Sequence, residues 1–248
     1  MIDFHQFDQY LFDLDDTLIN TRDSYRIAQE FSIRREFAEL SEERVAGLIS
    51  NLRWMCGMFG SGNVKQYYSA FLENTPDDLM IGEQSLQTML ETYQTIFDAE
   101  LKCFDGVFEL LDLLLSQKRK IAVVSNGIEI SQQNKLRRVG LRSYFPDSKC
   151  YISGKYPSEL RKPSPHMVDL ACKDSTISPE RTVFVGNEIS DCLAGNLANV
   201  TTVLVGEKPL PDDLPIRGIP DDQIKDIRSI ADLYRRGLTT RKGLGDKG

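Results

Sequence analysis

Short apolar runs that end in polar residues or glycine recur along the chain, and they constrain its fold more than any other feature. The runs lie at 10–12, 121–124, 182–185 and 202–205. They are too short for buried helices, and three of them are rich in β-branched residues, so we interpret all of them as buried strands. Segments of helical periodicity separate the last three runs, which predicts a parallel sheet with helices on both faces. A last strand is expected around 223–226.

The segment 21–98 interrupts this alternation. It has helical periodicity and almost no strand-like run, so it predicts a four-helix insert directly after the first strand. Ligands of open α/β sheets bind at the carboxyl ends of the strands, and an insert that leaves this edge is expected to cover the site as a cap. We therefore predict an α/β fold in which 1–20 and 99–248 form the core domain and 21–98 forms an all-helical cap domain.

Charge and cysteine content disfavour several classes of protein. The 30 basic and 37 acidic residues give a net charge of −7, which argues against a nucleic-acid polymer as partner. The 5 cysteines are odd in number and lack zinc-like spacing, which favours a reducing compartment. Neither a signal peptide nor a membrane-length apolar run is present, so we expect a cytoplasmic protein without membrane association.

The first strand ends in a cluster of carboxylates, Asp13-Leu14-Asp15-Asp16-Thr17. Because alternate residues of extended backbone point to the same side, Asp13 and Asp15 are expected to face one pocket. We expect Asp13 to attack a phosphate ester as a nucleophile. Asp15 is expected to protonate the leaving oxygen and then to activate water. Thr17 is expected to hold Asp15 or to orient the loop at the bound substrate.

Two further clusters would supply the contacts to the phosphate. Ser125 and the backbone donors of Asn126 and Gly127 suit the transferring group, helped by the N-terminus of the following helix. Lys162 would supply a fixed positive charge, and Pro163 keeps it out of helical conformation. Phosphoryl transfer requires this combination of a nucleophile, a phosphate cradle and positive charge.

A candidate cation site completes this edge of the sheet. Asp191, together with Asn187 or Glu188, would offer oxygen ligands to a hard cation. The alternative is that Asp191 only caps the helix that begins nearby.

Four segments, FDLDDTL, VVSNG, RKPSP and VGNEISD, resemble in this order the motifs of the haloacid dehalogenase superfamily, over about residues 10–206. The resemblance implies a Rossmann-like core, a Mg²⁺ cofactor and an aspartyl-phosphate intermediate. It implies that Asp13 binds Mg²⁺ through its side chain and Asp15 through its backbone carbonyl, with Asn187 and Asp191 completing the site. The helical insert is similar to the C1 cap of subfamily I.

The chain departs from the family at Asn187, where the family usually has an aspartate that binds Mg²⁺ directly. An amide oxygen carries no charge, so weaker Mg²⁺ binding is expected. The segment SNGIEISQQNKLRRVGLRSYF is most similar to the nucleotidase and acylneuraminate-phosphate phosphatase branch, and we interpret its helical part as packing sequence.

The function expected is therefore a Mg²⁺-dependent phosphatase, monomeric or homodimeric, for a small phosphorylated metabolite. The substrate is expected to be a nucleotide, a sugar phosphate or a phosphoglycolate-like compound. A phosphomutase uses the same residues and stays open, as does a weakened relative that binds phosphate or a protein, which Asn187 alone supports. A dehalogenase is disfavoured, because those relatives lack a residue equivalent to Asp15.

Overall fold

A computed structural model describes residues 2–76, 78–79, 81–82, 84–207 and 209–245 of the protein, with the backbone alone for 238–245. The ends of the predicted core, 1 and 246–248, lie outside the described residues. The chain forms two compact units. One contains the residues up to Ile19 and those from Cys103 onward, and the other is Asn20–Lys102. The predicted cap boundaries, 21 and 98, lie within the second unit.

The first unit is built on a six-stranded sheet in which every neighbouring pair of strands is parallel. The strands are β1 (Gln9–Phe12), β2 (Lys120–Ser125), β3 (Cys150–Ile152), β4 (Thr182–Gly186), β5 (Thr201–Val205) and β6 (Asp222–Ile224). Their spatial order is β3-β2-β1-β4-β5-β6. The chain thus runs outward from β1 in one direction and resumes at β4 on its other side. Ligands of such sheets bind at this switch point, beyond the end of β1.

The second unit has only helices as regular secondary structure among its described residues. It contains α1 (Thr21–Glu36), α2 (Glu42–Phe59), α3 (Val64–Glu73) and α4 (Ser85–Glu100). Apolar residues recur at helical spacing and give the unit a core of its own, in which Leu52, Tyr67 and Phe71 are fully buried. An all-helical domain is therefore inserted after β1.

Helices cover both faces of the sheet in the first unit. They are α5 (Val107–Ser116), α6 (Glu129–Arg138), α7 (His166–Ser175), α8 (Ile189–Leu197) and α9 (Arg228–Gly245). Leu11 of β1 packs in one core cluster with Met167 of α7 and Ala194 of α8. The ring of its neighbour Tyr10 lies 6.5 Å from the ring of Tyr234 in α9. Adjacent strand residues point to opposite faces, so these contacts cover both sides.

The predicted α/β class, a Rossmann-like parallel sheet with an inserted all-helical domain, is confirmed. The short strand β3 is the element that the sequence analysis did not predict. Within the described part of the chain, no helix has the length and apolar character needed to cross a membrane.

Candidate active site

The backbone after β1 folds into a tight turn that carries the first predicted site residues. The N–H of Asp13 donates to the carbonyl of Val185 at 2.9 Å, so pairing with β4 continues one residue beyond the strand. Asp16 then adopts a φ of 58°, and its N–H donates to the carbonyl of Ile19 at 2.7 Å. This turn brings Thr17 back towards the strand end, with its Oγ1 3.4 Å from Oδ2 of Asp13.

Lys162 lies between two buried carboxylates. Its Nζ donates to Oδ1 of Asp13 at 2.6 Å and to Oδ1 of Asp191 at 2.6 Å. The third ammonium hydrogen is accounted for by the carbonyl of Val124, at 3.0 Å. The three charged residues are at most 5% exposed. Two buried carboxylates thus share one ammonium group, which leaves an excess negative charge in a poorly solvated place.

The pKa values of the cluster reflect this imbalance. Burial raises the pKa of the Asp13 carboxyl to about 7, and the charges of Asp191 and Asp15 add to the rise while Lys162 opposes it. Burial lowers the pKa of Lys162, but the charges of Asp13 and Asp191 outweigh this and leave its pKa above the ordinary value. Lys162 is therefore a permanent cation, whereas Asp13 needs further positive charge to stay fully ionised at neutral pH.

Asn126, at the end of β2, fixes the backbone of Lys162. Its Nδ2 donates to the carbonyl of Lys162 at 2.9 Å, and its Oδ1 accepts from the N–H of Lys162 at 2.9 Å. A pair of bonds to one residue's N–H and C=O resembles the pairing between strands and restrains the backbone on both sides. The side chain of Asn126 thus positions the lysine, a role separate from the predicted backbone contact to phosphate.

The loop that follows Ser125 is supported by the residues after β3. The N–H of Gly127 donates to Oγ of Ser153 at 3.0 Å, and the N–H of Gly154 donates to the carbonyl of Gly127 at 2.9 Å. A Cβ on Gly154 would lie 2.7 Å from that carbonyl oxygen and 2.8 Å from the backbone nitrogen of Glu129. Because its N–H is engaged by Ser153, the part of Gly127 in phosphate binding stays a prediction.

The fourth cluster lies where β4 meets α8. Oγ1 of Thr17 donates to Oδ1 of Asn187 at 3.1 Å. Oδ2 of Asp191 accepts the backbone N–H of Asn187 at 3.1 Å and that of Glu188 at 3.0 Å. Close approach requires glycine at 186, where a Cβ would lie 2.4 Å from Oδ2 of Asp191. Asp191 thus accepts backbone N–H groups at the start of α8, as expected of a residue that caps the helix. It also accepts a hydrogen bond from Lys162 and orients that side chain.

The predicted Mg²⁺ ligands are compatible with that ion. Asp13, the carbonyl of Asp15, Asn187 and Asp191 all offer oxygen, which hard cations prefer. A divalent cation would also offset the excess negative charge of the buried cluster. Among the described residues, no three His, Cys, Asp or Glu side chains are grouped to hold a metal ion. The predicted set differs in kind from such a group, because it includes a backbone carbonyl and an amide oxygen.

Two residues of α6 that the sequence analysis did not single out hold Asp15. Nε2 of Gln132 donates to Oδ2 of Asp15 at 2.7 Å, and Nζ of Lys135 donates to Oδ1 at 2.7 Å. Nε2 of Gln132 also donates to Oγ of Ser125 at 2.8 Å. Their spacing of three on a helix that directly follows the predicted phosphate loop was a usable signal, since such residues share a face.

Hydrogen bonds therefore join the predicted residues into two groups in the first unit. One group links Asp13, Thr17, Lys162, Asn187 and Asp191. The other links Asp15 to Ser125 through Gln132. Asn126 joins the first group through the backbone of Lys162. Gly127 contacts the loop after β3 instead.

Comparisons with known proteins agree with this architecture. The model of a family described as haloacid dehalogenase-like hydrolase matches residues 10–205. The glyceraldehyde 3-phosphate phosphatase of Methanothermobacter thermautotrophicus is 25% identical over 233 residues, which cover 90% of this chain and 97% of that protein. The N-acetylmuramic acid 6-phosphate phosphatase of Pseudomonas aeruginosa is 25% identical over 230 residues, which cover 92% of this chain and 95% of that protein.

A solved structure extends the comparison to three dimensions. It is a haloacid dehalogenase family hydrolase from Deinococcus radiodurans with bound phosphate and sodium. It superposes with a TM-score of 0.65 at 20% identity, covering 94% of this chain and 97% of that chain. At this identity the likeness concerns the fold alone.

Proposed function

This chain belongs to the haloacid dehalogenase-like hydrolases, and from that premise we propose that it is a phosphatase acting on a small phosphorylated metabolite through an aspartyl-phosphate intermediate. The observation that carries the proposal is the environment of Asp13. Its carboxylate is buried at the end of β1, and Lys162 holds one oxygen at 2.6 Å. A nucleophile needs this fixed orientation. Both relatives are named as phosphatases, which supports the reaction class.

The proposed reaction proceeds in two balanced steps. Asp13 attacks phosphorus, the bond to the leaving oxygen breaks, and Asp15 gives its proton to that oxygen. The products are an alcohol and the aspartyl-phosphate. Water then attacks phosphorus and gives a proton to Asp15, while the bond between Asp13 and phosphorus breaks. Inorganic phosphate leaves, and both carboxyl groups return to their initial states.

Positive charge and hydrogen-bond donors must face the phosphate oxygens in both steps. Ser125 is suited to this, because its Oγ accepts from Gln132 and its own hydrogen can be donated to a phosphate oxygen. Lys162 orients Asp13 and neutralises part of the charge. Mg²⁺ would be held by the backbone carbonyl of Asp15 and by the side chains of Asp13, Asn187 and Asp191. When bound, it supplies positive charge for the phosphate oxygens.

Sugar phosphates are the substrate class that we propose to test first. The two relatives are named for phosphorylated sugars, a triose phosphate and an amino-sugar acid phosphate. Nucleotides and phosphoglycolate-like compounds come second. Whether the site uses a carbon hydroxyl in place of water, as a mutase would, is decided by whether free phosphate is released.

The test is release of inorganic phosphate from a panel of sugar phosphates, nucleoside monophosphates, phosphoglycolate and pyrophosphate, with and without Mg²⁺. We expect Mg²⁺-dependent release from one class and none by Asp13→Asn. The matched control is Asp16→Asn, which removes a neighbouring carboxylate without an assigned role and suits the φ of 58°, since Asn tolerates that conformation. It should retain activity.

Three results would count against the proposal in different ways. Turnover that persists in Asp13→Asn would refute the nucleophile. Turnover in excess EDTA would refute the need for a metal ion. Release from no compound, with folded protein and ample Mg²⁺, would refute the phosphatase and favour a phosphate- or protein-binding relative.

A further inference from the structure

We propose that Gln132 and Lys135 are positioning residues of the reaction, which together fix the carboxylate of Asp15 relative to the hydroxyl of Ser125. The inference rests on the proposed function, because it presupposes that Asp15 transfers protons and that Ser125 contacts phosphate. It extends that function to two residues of α6, which sequence motifs do not assign to the site.

Each oxygen of the Asp15 carboxylate has its own hydrogen-bond donor. Lys135 donates to Oδ1 and Gln132 to Oδ2, both at 2.7 Å. Rotation of the carboxylate would break at least one of these bonds, so the pair restrains its orientation as well as its position. Proton transfer to a leaving oxygen depends on such alignment, because an error of about 1 Å can cost roughly 100-fold in rate.

The side-chain amide of Gln132 contacts both Asp15 and Ser125. A side-chain amide nitrogen carries two hydrogens, and a carboxylate only accepts, so Nε2 of Gln132 must face Asp15. Its other hydrogen goes to Oγ of Ser125 at 2.8 Å, with a longer contact of 3.4 Å to the carbonyl of Asn126. The proton donor for the leaving group and the hydroxyl for the phosphate are thus set by one planar group.

The side chains of this network are largely buried. Gln132 and Ser125 are each 1% exposed, and the side chains of Lys135 and Asp15 are 14% and 28% exposed. Directed hydrogen bonds are stronger where water is excluded. A fully exposed ion pair would contribute little. Here both donors belong to helix α6, and a helix holds functional side chains more rigidly than a loop does.

The test separates positioning of a proton donor from general loss of structure. A nitrophenolate leaves without protonation, whereas an alkoxide needs a proton, so misplacement of Asp15 affects the two leaving groups unequally. For Lys135→Met we expect kcat/KM to fall by about 100-fold with a sugar phosphate and by no more than about threefold with para-nitrophenyl phosphate. Asp15 also activates water, so the aryl substrate should show a burst of nitrophenolate before slow turnover.

Matched variants control for charge and for folding. Lys135→Arg should restore most of the activity, because a guanidinium can still donate to Oδ1 of Asp15. Arg137→Met removes a cation from the same helix. The described partner of Arg137 is Asn134, so this variant should leave kcat/KM unchanged with both substrates. Gln132→Met is a second variant that removes the donor to both Asp15 and Ser125. Thermal unfolding of each variant checks that it is folded.

The outcomes distinguish this inference from the function on which it rests. An equal loss of kcat/KM on both substrates, or no loss on either, would overturn the positioning role of Lys135 and leave the proposed phosphatase activity intact. Failure of Lys135→Arg to restore the sugar-phosphate rate would also count against it. If the wild-type protein released phosphate from no compound of the panel and from no aryl phosphate, the proposed function would fail and this inference with it.

Discussion

Asn187 places a neutral amide beside a buried cluster that already has more negative than positive charge. Asp13 and Asp191 carry two negative charges against the single positive charge of Lys162. The neutral amide of Asn187 accepts a hydrogen bond from Thr17 at 3.1 Å without adding a third negative charge. The arrangement therefore limits repulsion in the metal-free protein, and it offers less charge to a bound cation.

The substitution Asn187→Asp should shift that balance towards the metal ion. A carboxylate can still accept from Thr17, and it adds a negative charge to the predicted ligands. We expect the half-saturating Mg²⁺ concentration for turnover to fall by about tenfold, which corresponds to about 1.4 kcal/mol. Without Mg²⁺ the variant should unfold at a lower temperature than the wild-type protein, and added Mg²⁺ should reverse the order.

Activity against Mg²⁺ concentration and thermal unfolding with and without Mg²⁺ measure the two effects. The matched control is Asn134→Asp, which makes the same chemical change at an exposed residue whose Oδ1 accepts from Arg137. It should leave the Mg²⁺ dependence unchanged. An unchanged Mg²⁺ dependence in Asn187→Asp would show that this position does not contact the ion.

Asp13 and Lys162 could be proposed as site residues from the sequence, because their signals are local. Asp13 directly follows a strand, and Lys162 directly precedes a proline. Gln132 and Lys135 could not be assigned in the same way. Their contacts to Asp15 join residues 117 and 120 positions apart in the chain. Periodicity identifies the face of a helix, but which remote side chain meets that face depends on the packing of the whole sheet.

Among the elements, β3 has an importance for the site that its length conceals. It is three residues long, Cys150–Ile152, and periodicity cannot distinguish so short a run from a loop. Its pairing with β2 brings Ser153 and Gly154 against the loop after β2. β2, β4 and β5 were predicted because their apolar runs are longer, and β1 because its run leads directly into the carboxylates that begin at Asp13. The helices between them were predicted because their periodicity persists over several turns.

The substitution Gly154→Ala tests whether this element supports the phosphate loop. The added Cβ would lie 2.7 Å from the carbonyl oxygen of Gly127 and 2.8 Å from the nitrogen of Glu129, both backbone atoms that a rotamer change cannot relieve. We expect the loop to move and kcat/KM to fall on the order of 100-fold, as for a misplacement of about 1 Å.

Gly47→Ala is the matched control for this change. Gly47 lies within α2, and a Cβ there would meet nothing within 4 Å. The same added methyl group should leave activity unchanged and stabilise the helix by about 0.5–1 kcal/mol. Kinetics and denaturant unfolding of both variants give the comparison. Full activity in Gly154→Ala would mean that the loop tolerates the displacement or does not bind phosphate.

At the scale of the whole molecule, the two units each bring together the two chain segments that connect them. In the first unit Ile19 and Cys103 form an antiparallel bridge, and the N–H of Phe104 donates to the carbonyl of Leu18 at 3.0 Å. In the second unit the N–H of Lys102 donates to Oδ1 of Asn20 at 2.8 Å. Each unit also has its own apolar core cluster. The sequence predicted the insert from its change of periodicity, but the exact junctions depend on these long-range bonds.

This geometry predicts that the two units fold separately. An Asn-Gly turn that joins Ile19 directly to Cys103 would replace the whole of Asn20–Lys102. Two residues suffice there, because directly opposed residues of an antiparallel pair are the ends that a two-residue hairpin connects. We expect the shortened core and the isolated segment Asn20–Lys102 each to unfold cooperatively, since each has an apolar core cluster formed by its own residues. Circular dichroism during heating follows the transition of each piece. Calorimetry then compares its calorimetric enthalpy of unfolding with the van't Hoff enthalpy, which agree when unfolding is cooperative. A core that lacks a cooperative transition while the isolated helical segment retains one would mean that the sheet depends on the insert for its stability, and the insertion would then be an integral part of the core instead of an addition to it.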